Sequence, residues 1–328
     1  MRPVGILGLG AFLPEKILTN ADLEKMVDTT DEWIRTRTGI SERHIIEGDV
    51  ATSDLAAGAA RRALEAAGLD ASAVDLIIVA TVTPDMFFPS TACLVQEKIG
   101  ATRAAAFDVS AACPGFIYAV SIGSQFVAAG TYDHVLVIGG DSLSKITDWT
   151  DRSTCVLFGD AAGAAVLGPV RPGRGILSTV LGSDGSGADL LKIPAGGSRM
   201  PASFDTVEKR LHYLQMNGNE VYKFAVRIVP EATLAALEKC GLKLEDIDVF
   251  IPHQANVRII EGASKRLKIP EEKVVVNVQR FGNISAASIP VAMEESVREG
   301  RIKEGDIVAG VAFGAGLTWA SCIIRWGR

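Results

Sequence analysis

Cys113, in the stretch Ser110-Ala111-Ala112-Cys113-Pro114-Gly115-Phe116, is the residue whose setting points most directly to chemistry. The run from Pro114 to Gly130 has helical spacing of apolar residues and almost no charge, and proline suits the first position of a helix, where no N–H partner is needed. A cysteine at a helix start meets the positive end of the macrodipole, which favours thiolate and raises reactivity. Proline also pushes the preceding residue out of the α region, so Cys113 is expected at a sharp, non-helical corner. Cysteine is otherwise a buried type that behaves as a small hydrophobe. Cys93, Cys155, Cys240 and Cys322, each inside a helix or strand pattern, keep that reading.

Two other residues stand out by position. His253 ends an apolar strand in "IPHQANVR" and is followed by the polar edge Gln254, Ala255 and Asn256. Asn283 follows a glycine in "RFGNISAAS", where an asparagine taken alone reads as a turn or N-cap residue. Papain-like hydrolases also use Cys, His and Asn, so the residue types alone do not decide the reaction.

The elements that must position these groups are announced by a long-range repeat. "ALEAAGLDASAVDLIIV" from Ala63 matches "ALEKCGLKLEDIDVFIP" from Ala236, 173 residues later. Each copy reads as a helix end, a glycine stop at Gly68 or Gly241, a polar turn and a buried parallel strand. "FVAAGTYDHVLVIGG" from Phe126 likewise resembles "VREGRIKEGDIVAGV" from Val297. Two α/β halves are expected, residues 1–172 and 173–328, related by a pseudo-twofold axis and packed in layers. An offset of about 170 sets Cys113 opposite Asn283 at the seam between halves, where ligand sites of such folds gather. Asp189 to Asn219, rich in Gly, Pro, Ser and Lys, reads as an insertion at the rim.

Composition narrows the partners. The 328 residues are 48% apolar with a net charge of −6, which leaves no footprint for nucleic acid or an anionic membrane. Five dispersed cysteines without CxxC spacing suggest neither a disulfide framework nor a zinc site, and a reducing cytosol fits best. The N-terminal apolar run is too short and glycine-rich for a secretory signal. The uncharged window Ile307 to Ile324 has a Gly314-Ala315-Gly316 centre and reads as two buried strands around a tight turn, not as a membrane span. "GILGLG" at Gly5 to Gly10 fails as a dinucleotide fingerprint, because the third glycine is misplaced and no helix follows.

"DEWIRTRTGI", "FPSTAC", "SAACPGF", "DRSTCVLFGDAAGAAVL", "MNGNEVYKFAV", "IPHQANVRII", "GNISAAS" and "FGAGLTW" together resemble the β-ketoacyl-acyl carrier protein synthase III family, in order along nearly the whole chain. The resemblance implies the α/β, duplicated thiolase fold, with layered α-β-α-β-α architecture, and the initiating condensation of type II fatty acid synthesis. It implies that Cys113 takes an acyl group from acyl-CoA, and that His253 and Asn283 hydrogen-bond the thioester carbonyl of malonyl-acyl carrier protein as carbon dioxide leaves. The backbone N–H groups of Cys113 and Ala315 would form the oxyanion hole. Trp33, Arg37, Arg152 and Asn256 map to CoA contacts, and Lys223, Arg258, Lys265 and Arg266 to a basic patch for the acidic carrier protein. Phe88 and Phe313 map to the acyl pocket, Phe88 by reaching across a homodimer interface. A cytoplasmic enzyme without metal or other cofactor is expected.

The sequence departs from the family pattern at Pro114, Ala161 and Ala315, where small residues or glycines are usual. Ala315 is the sharpest of these, since a glycine at that turn could have served a positive φ. Chalcone-synthase-like and hydroxymethylglutaryl-CoA synthase relatives share the fold but not "IPHQANVR" followed by "GNISAAS". A starter-unit synthase of a polyketide or quinolone pathway could share every motif. A non-enzymatic partner subunit would have lost the nucleophile or its helpers.

Overall fold

The computed structural model describes residues 1–328. Val4–Phe12 (β1), Leu76–Ala80 (β2), Ala105–Val109 (β3), Val135–Ser142 (β4) and Asp160–Pro169 (β5) form one sheet in the order β1-β5-β4-β2-β3. Gly175–Ser183 (β6), Val249–Pro252 (β7), Ile307–Gly314 (β8) and Thr318–Arg325 (β9) form a second, in the order β7-β8-β9-β6. The two pairings are alike. β2 runs parallel to β4, which runs antiparallel to β5, and β5 antiparallel to β1. β7, β8, β9 and β6 repeat those senses in that order. Even the edge strand β3 has a vestige, a single parallel bridge from Phe250 to Val274.

The helices are Asp31–Thr38 (α1), Thr52–Ala67 (α2), Thr91–Ile99 (α3), Gly115–Ala129 (α4), Gly218–Cys240 (α5), Val257–Leu267 (α6) and Ser288–Arg298 (α7), with shorter turns between them. α2 and α3 cover the outer face of the first sheet, and α5 covers the outer face of the second, with α6 packed on it. α4 and α7 lie between the sheets and touch both. This is why α4 can be apolar all round: Phe116, Ile117 and Val120 are buried, and each such side chain contributes roughly 1.5–3 kcal/mol. α2 and α5 end as the repeat predicts, on Gly68 and Gly241 in left-handed caps at φ 69° and 72°.

The uncharged window is the hairpin of β8 and β9, paired Gly314 to Thr318 at its tip. No helix is long and apolar enough to cross a membrane. "GILGLG" lies within β1 and opens no helix. The offset between halves needs one correction. α4 starts at Gly115 and α7 at Ser288, so at the 173-residue spacing the counterpart of Cys113 is Ala286, and Asn283 lies three residues earlier.

Candidate active site

Pro114 is the N-cap of α4 at φ −75° and ψ 0°, one residue outside the first helical position expected of it. The corner is made one residue earlier still. Ala112 holds φ 50°, the left-handed region that a Cβ disfavours, and its carbonyl accepts the Gly115 N–H at 2.8 Å. Across the cavity the tip of the β8–β9 hairpin presses on this corner. A Cβ on Gly314 would stand 2.9 Å from the Cys113 nitrogen. Thr318 Oγ1 meets the carbonyls of both Ala111 (3.0 Å) and Ala315 (2.8 Å), tying hairpin to corner. Ala315 itself has no positive φ; Gly316 takes that conformation at 137°, so the alanine is accommodated. The N–H groups of Cys113 and Ala315 donate to no carbonyl of the protein.

His253 follows β7, its N–H donating to the Val311 carbonyl at 2.8 Å and its ring meeting Phe313 edge-on at 5.5 Å. The residue is 2% exposed, and burial without a carboxylate partner holds the imidazole well below its usual range, at about 3. It is therefore neutral. Nδ1 lies 2.7 Å from Ser288 Oγ at the head of α7; with that hydroxyl donating to Nδ1, the ring proton stands on Nε2. Asn283 is clipped to the Leu157–Gly159 segment, its N–H donating to the Leu157 carbonyl (2.8 Å) and its carbonyl accepting from the Gly159 N–H (3.0 Å). Its Oδ1 accepts the Ser285 N–H at 2.9 Å, which leaves the Nδ2 hydrogens as the free donors.

Cys113, His253, Asn283, Phe313 and Ala315 line one cavity of about 430 Å³. Of its 26 lining residues 17 are hydrophobic, so the pocket suits an aliphatic group. The insertion expected at the rim contributes Leu191, Ile193, Leu214 and Met216 to its wall. The thiol meets an influence that the helix-start position does not announce. Burial pushes Cys113 up to about 12, and the Asp141 charge adds to the rise. The residue as a whole stays half-buried and reachable from the cavity. In this low-dielectric corner desolvation works against the helix-start effect.

Of the other predicted residues, Asn256 and Arg258 lie on the rim. Asn256 caps α6 through the Arg258 N–H (2.9 Å) and donates to the Arg37 carbonyl (3.1 Å). The guanidinium groups of Arg37 and Arg152 lie 5.1 and 5.0 Å from the ring centre of Trp33, which is half-buried and outside the cavity wall. Lys223, Arg258, Lys265 and Arg266 are exposed on α5 and α6; Lys223 pairs with Glu220, and Arg258 lies over Tyr222. Phe88 is 85% exposed and stands outside its own chain's cavity. Sequence reasoning missed Ser285, Ser288 and Asp141. Ser285 and Ser288 sit inside a quoted motif, but only the fold reveals what they touch.

Two like sheets sharing a middle layer of helices, with a cysteine entering from one half and an asparagine from the other, define a thiolase-fold enzyme. The chain matches the family profile of 3-oxoacyl-[acyl-carrier-protein] synthase III over residues 107–185 and that of its C-terminal region over residues 237–326. It is 62% identical to a β-ketoacyl-[acyl-carrier-protein] synthase III of Caldanaerobacter subterraneus, covering 99% of this chain and 98% of the relative. A solved β-ketoacyl-[acyl carrier protein] synthase III from Thermus thermophilus is 53% identical with a TM-score of 0.92, covering 98% and 99% of the two chains. The priming β-ketosynthase of the R1128 polyketide pathway is 38% identical with a TM-score of 0.91, covering 98% and 96%. The chain belongs to the β-ketoacyl-acyl carrier protein synthase III family, condensing acyltransferases that initiate fatty acid synthesis.

Proposed function

We propose that Cys113 attacks the thioester of a short acyl-CoA, releasing CoA, and that the acyl-Cys113 then receives the carbanion formed by decarboxylation of malonyl-acyl carrier protein. The observation that carries this reading is the set of unspent donors around one cysteine. Nε2–H of a neutral His253 and Nδ2 of Asn283 suit an enolate oxygen, and the Cys113 and Ala315 N–H groups suit the tetrahedral oxyanion on the acyl carbon. Decarboxylation supplies the carbanion, so the condensation calls for no metal or redox cofactor. The higher identity to fatty acid initiators than to the polyketide priming enzyme favours the first pathway.

Trp33 with Arg37 and Arg152 offers a flat face and two cations for the nucleotide end of CoA, with Asn256 at the tunnel mouth. The exposed cations of α5 and α6 suit an acidic carrier protein. Phe87 and Phe88, 82% and 85% exposed, call for cover, and a second copy of the chain supplies it in a cytoplasmic homodimer. Intact-mass spectrometry tests the core of this reading. One acyl group should add to the wild type, none to Cys113→Ser, and His253→Ala or Asn283→Ala should still acylate while losing decarboxylation. Undiminished labelling of Cys113→Ser would overturn the assignment.

A further inference from the structure

We propose that Gln254, buried beside His253, is the positioning residue that aims His253 and Asn283 at one oxygen. This rests on the reading of those two side chains as the donors to the enolate. Two donors serve one oxygen only where both stand within about 2.7–3.1 Å of it, so their mutual placement matters as much as the presence of either. They stand on separate segments, His253 directly after β7 and Asn283 after the short helix Val278–Phe281.

The sequence sets Gln254 on a polar edge; the side chain instead turns inward and the residue is 1% exposed. Its amide is fully used. Nε2 donates to the carbonyls of Pro252 (2.8 Å) and Val275 (3.0 Å), and Oε1 accepts the N–H groups of Asn277 (2.9 Å) and Val278 (3.2 Å). Two carbonyls on one side and two N–H groups on the other fix which way the amide faces. The bond from Val278 caps the short helix from a distance. The side chain of the helix's own N-cap, Asn277, makes no cap bond and donates instead to Glu295 Oε2 on α7 at 3.1 Å. The Gly282 N–H closes that helix on the Val278 carbonyl at 2.9 Å, and Asn283 follows. Gln254 thus grips the chain five residues before Asn283, and its neighbour His253 grips it five residues after, at Ser288. A buried polar network with every member satisfied specifies one arrangement.

Cys113 lies outside this network. Its corner is set by the start of α4 and the tip of the β8–β9 hairpin, and the four bonds of Gln254 reach neither. Loss of the amide leaves four buried backbone groups unpaired, so the segment from Val275 to Val278 moves to regain partners. Asn283 moves with it, away from its register with His253. Decarboxylation suffers and acylation is spared. Gln254 does not line the cavity and touches no reacting atom; it acts through the two donors it separates.

The test measures both half-reactions on one preparation each of wild type, Gln254→Met and Gln254→Glu. Acylation by acetyl-CoA is followed by quenched intact mass. Decarboxylation is followed as carbon dioxide released from carboxyl-labelled malonyl-acyl carrier protein on the acylated enzyme. Gln254→Met keeps the length and removes all four bonds. Gln254→Glu keeps the bonds from Asn277 and Val278 and sets an oxygen against the Pro252 and Val275 carbonyls, so it decides the matter if Gln254→Met fails to fold. In both, acylation should stay within about threefold of wild type while decarboxylation slows about 10- to 100-fold, the cost of a displacement approaching about 1 Å. KM for malonyl-acyl carrier protein should hold within about twofold, since the loss falls on the reacting geometry and not on docking. A merely structural role would lower both rates by the folded fraction and leave their ratio as in wild type; that result overturns the proposal. Should His253→Ala or Asn283→Ala decarboxylate at the native rate, the parent reading falls and the positioning role with it. Should those two lose decarboxylation while the Gln254 variants keep it, the positioning role alone falls.

Discussion

Gly314→Ala tests how firmly the hairpin tip sets the nucleophile. The new Cβ would lie 2.9 Å from the Cys113 nitrogen, 3.1 Å from Ala112 Cβ and 3.1 Å from Pro114 Cδ. None of these atoms can rotate away: one is backbone, one is a bare methyl, and one belongs to a proline ring. Relief to ordinary contact requires the corner to retreat by about 0.5 Å. Overpacking of this kind costs about 1–3 kcal/mol, so the protein should remain folded with a melting point lowered by a few degrees. The chemistry should suffer more, because a misplacement of about 1 Å at a reacting centre costs about 10² in rate. Acylation of Cys113 by acetyl-CoA should therefore slow by about 10- to 100-fold, with CoA affinity nearly unchanged. A variant acylating within threefold of wild type, or slowed only in proportion to its unfolded fraction, would refute the idea that Gly314 holds the corner in register.

Other expectations follow from the same geometry. His253, held at about 3 in the folded protein against about 6.5 in the unfolded chain, makes the unfolded state bind the extra proton as pH falls. Stability should be undiminished above about pH 7 and lost at up to about 1.4 kcal/mol per unit between about pH 6.5 and 3, and urea titrations of His253→Gln should show a flatter dependence. Trp33→Ala should raise KM for acyl-CoA about 5- to 10-fold at nearly constant kcat, the worth of about one face contact; an unchanged KM would remove Trp33 from the CoA site. Arg43 is fully buried and donates to the Leu18 and Val156 carbonyls and to Asn20 Oδ1 without a carboxylate partner. Arg43→Met should cost about 3–5 kcal/mol in chemical denaturation by leaving those acceptors unpaired. Arg43→Lys should rescue little, because an ammonium lacks the guanidinium fork.

What was legible in the sequence was whatever had a local or periodic cause. Gly68 and Gly241 stop helices wherever they stand, and the two halves of the Ile307–Ile324 window are separated by glycines that a continuous helix would not favour. The glycine-rich turn and the residues around Cys113 could be assigned roles by family motif. What escaped was set by distance. The hydrogen bonds of Asp141 reach across 58 to 145 residues, and nothing near "GGDSLS" distinguishes it from any other carboxylate at a strand end. At Cys113 the helix start is local and visible, whereas the desolvation that opposes it comes from side chains of both halves and is not. The spacing of the halves comes out three residues short around Cys113 when it is carried back from the ends of α4 and α7. These helices differ in length, 15 residues against 11, and their starts keep the truer register.

Ala112 and Ser285, at φ 50° and 48°, occupy equivalent places in the two halves, 173 residues apart. Backbone conformations that cost of order 1 kcal/mol or more are not adopted twice by accident. The kink is best understood as heirloom geometry, present in the single unit before it was copied and retained after the sequences diverged. One copy now precedes a thiol and the other carries a serine, both lining the same cavity, so each side of the reaction chamber bears the same bend with different side chains hung on it.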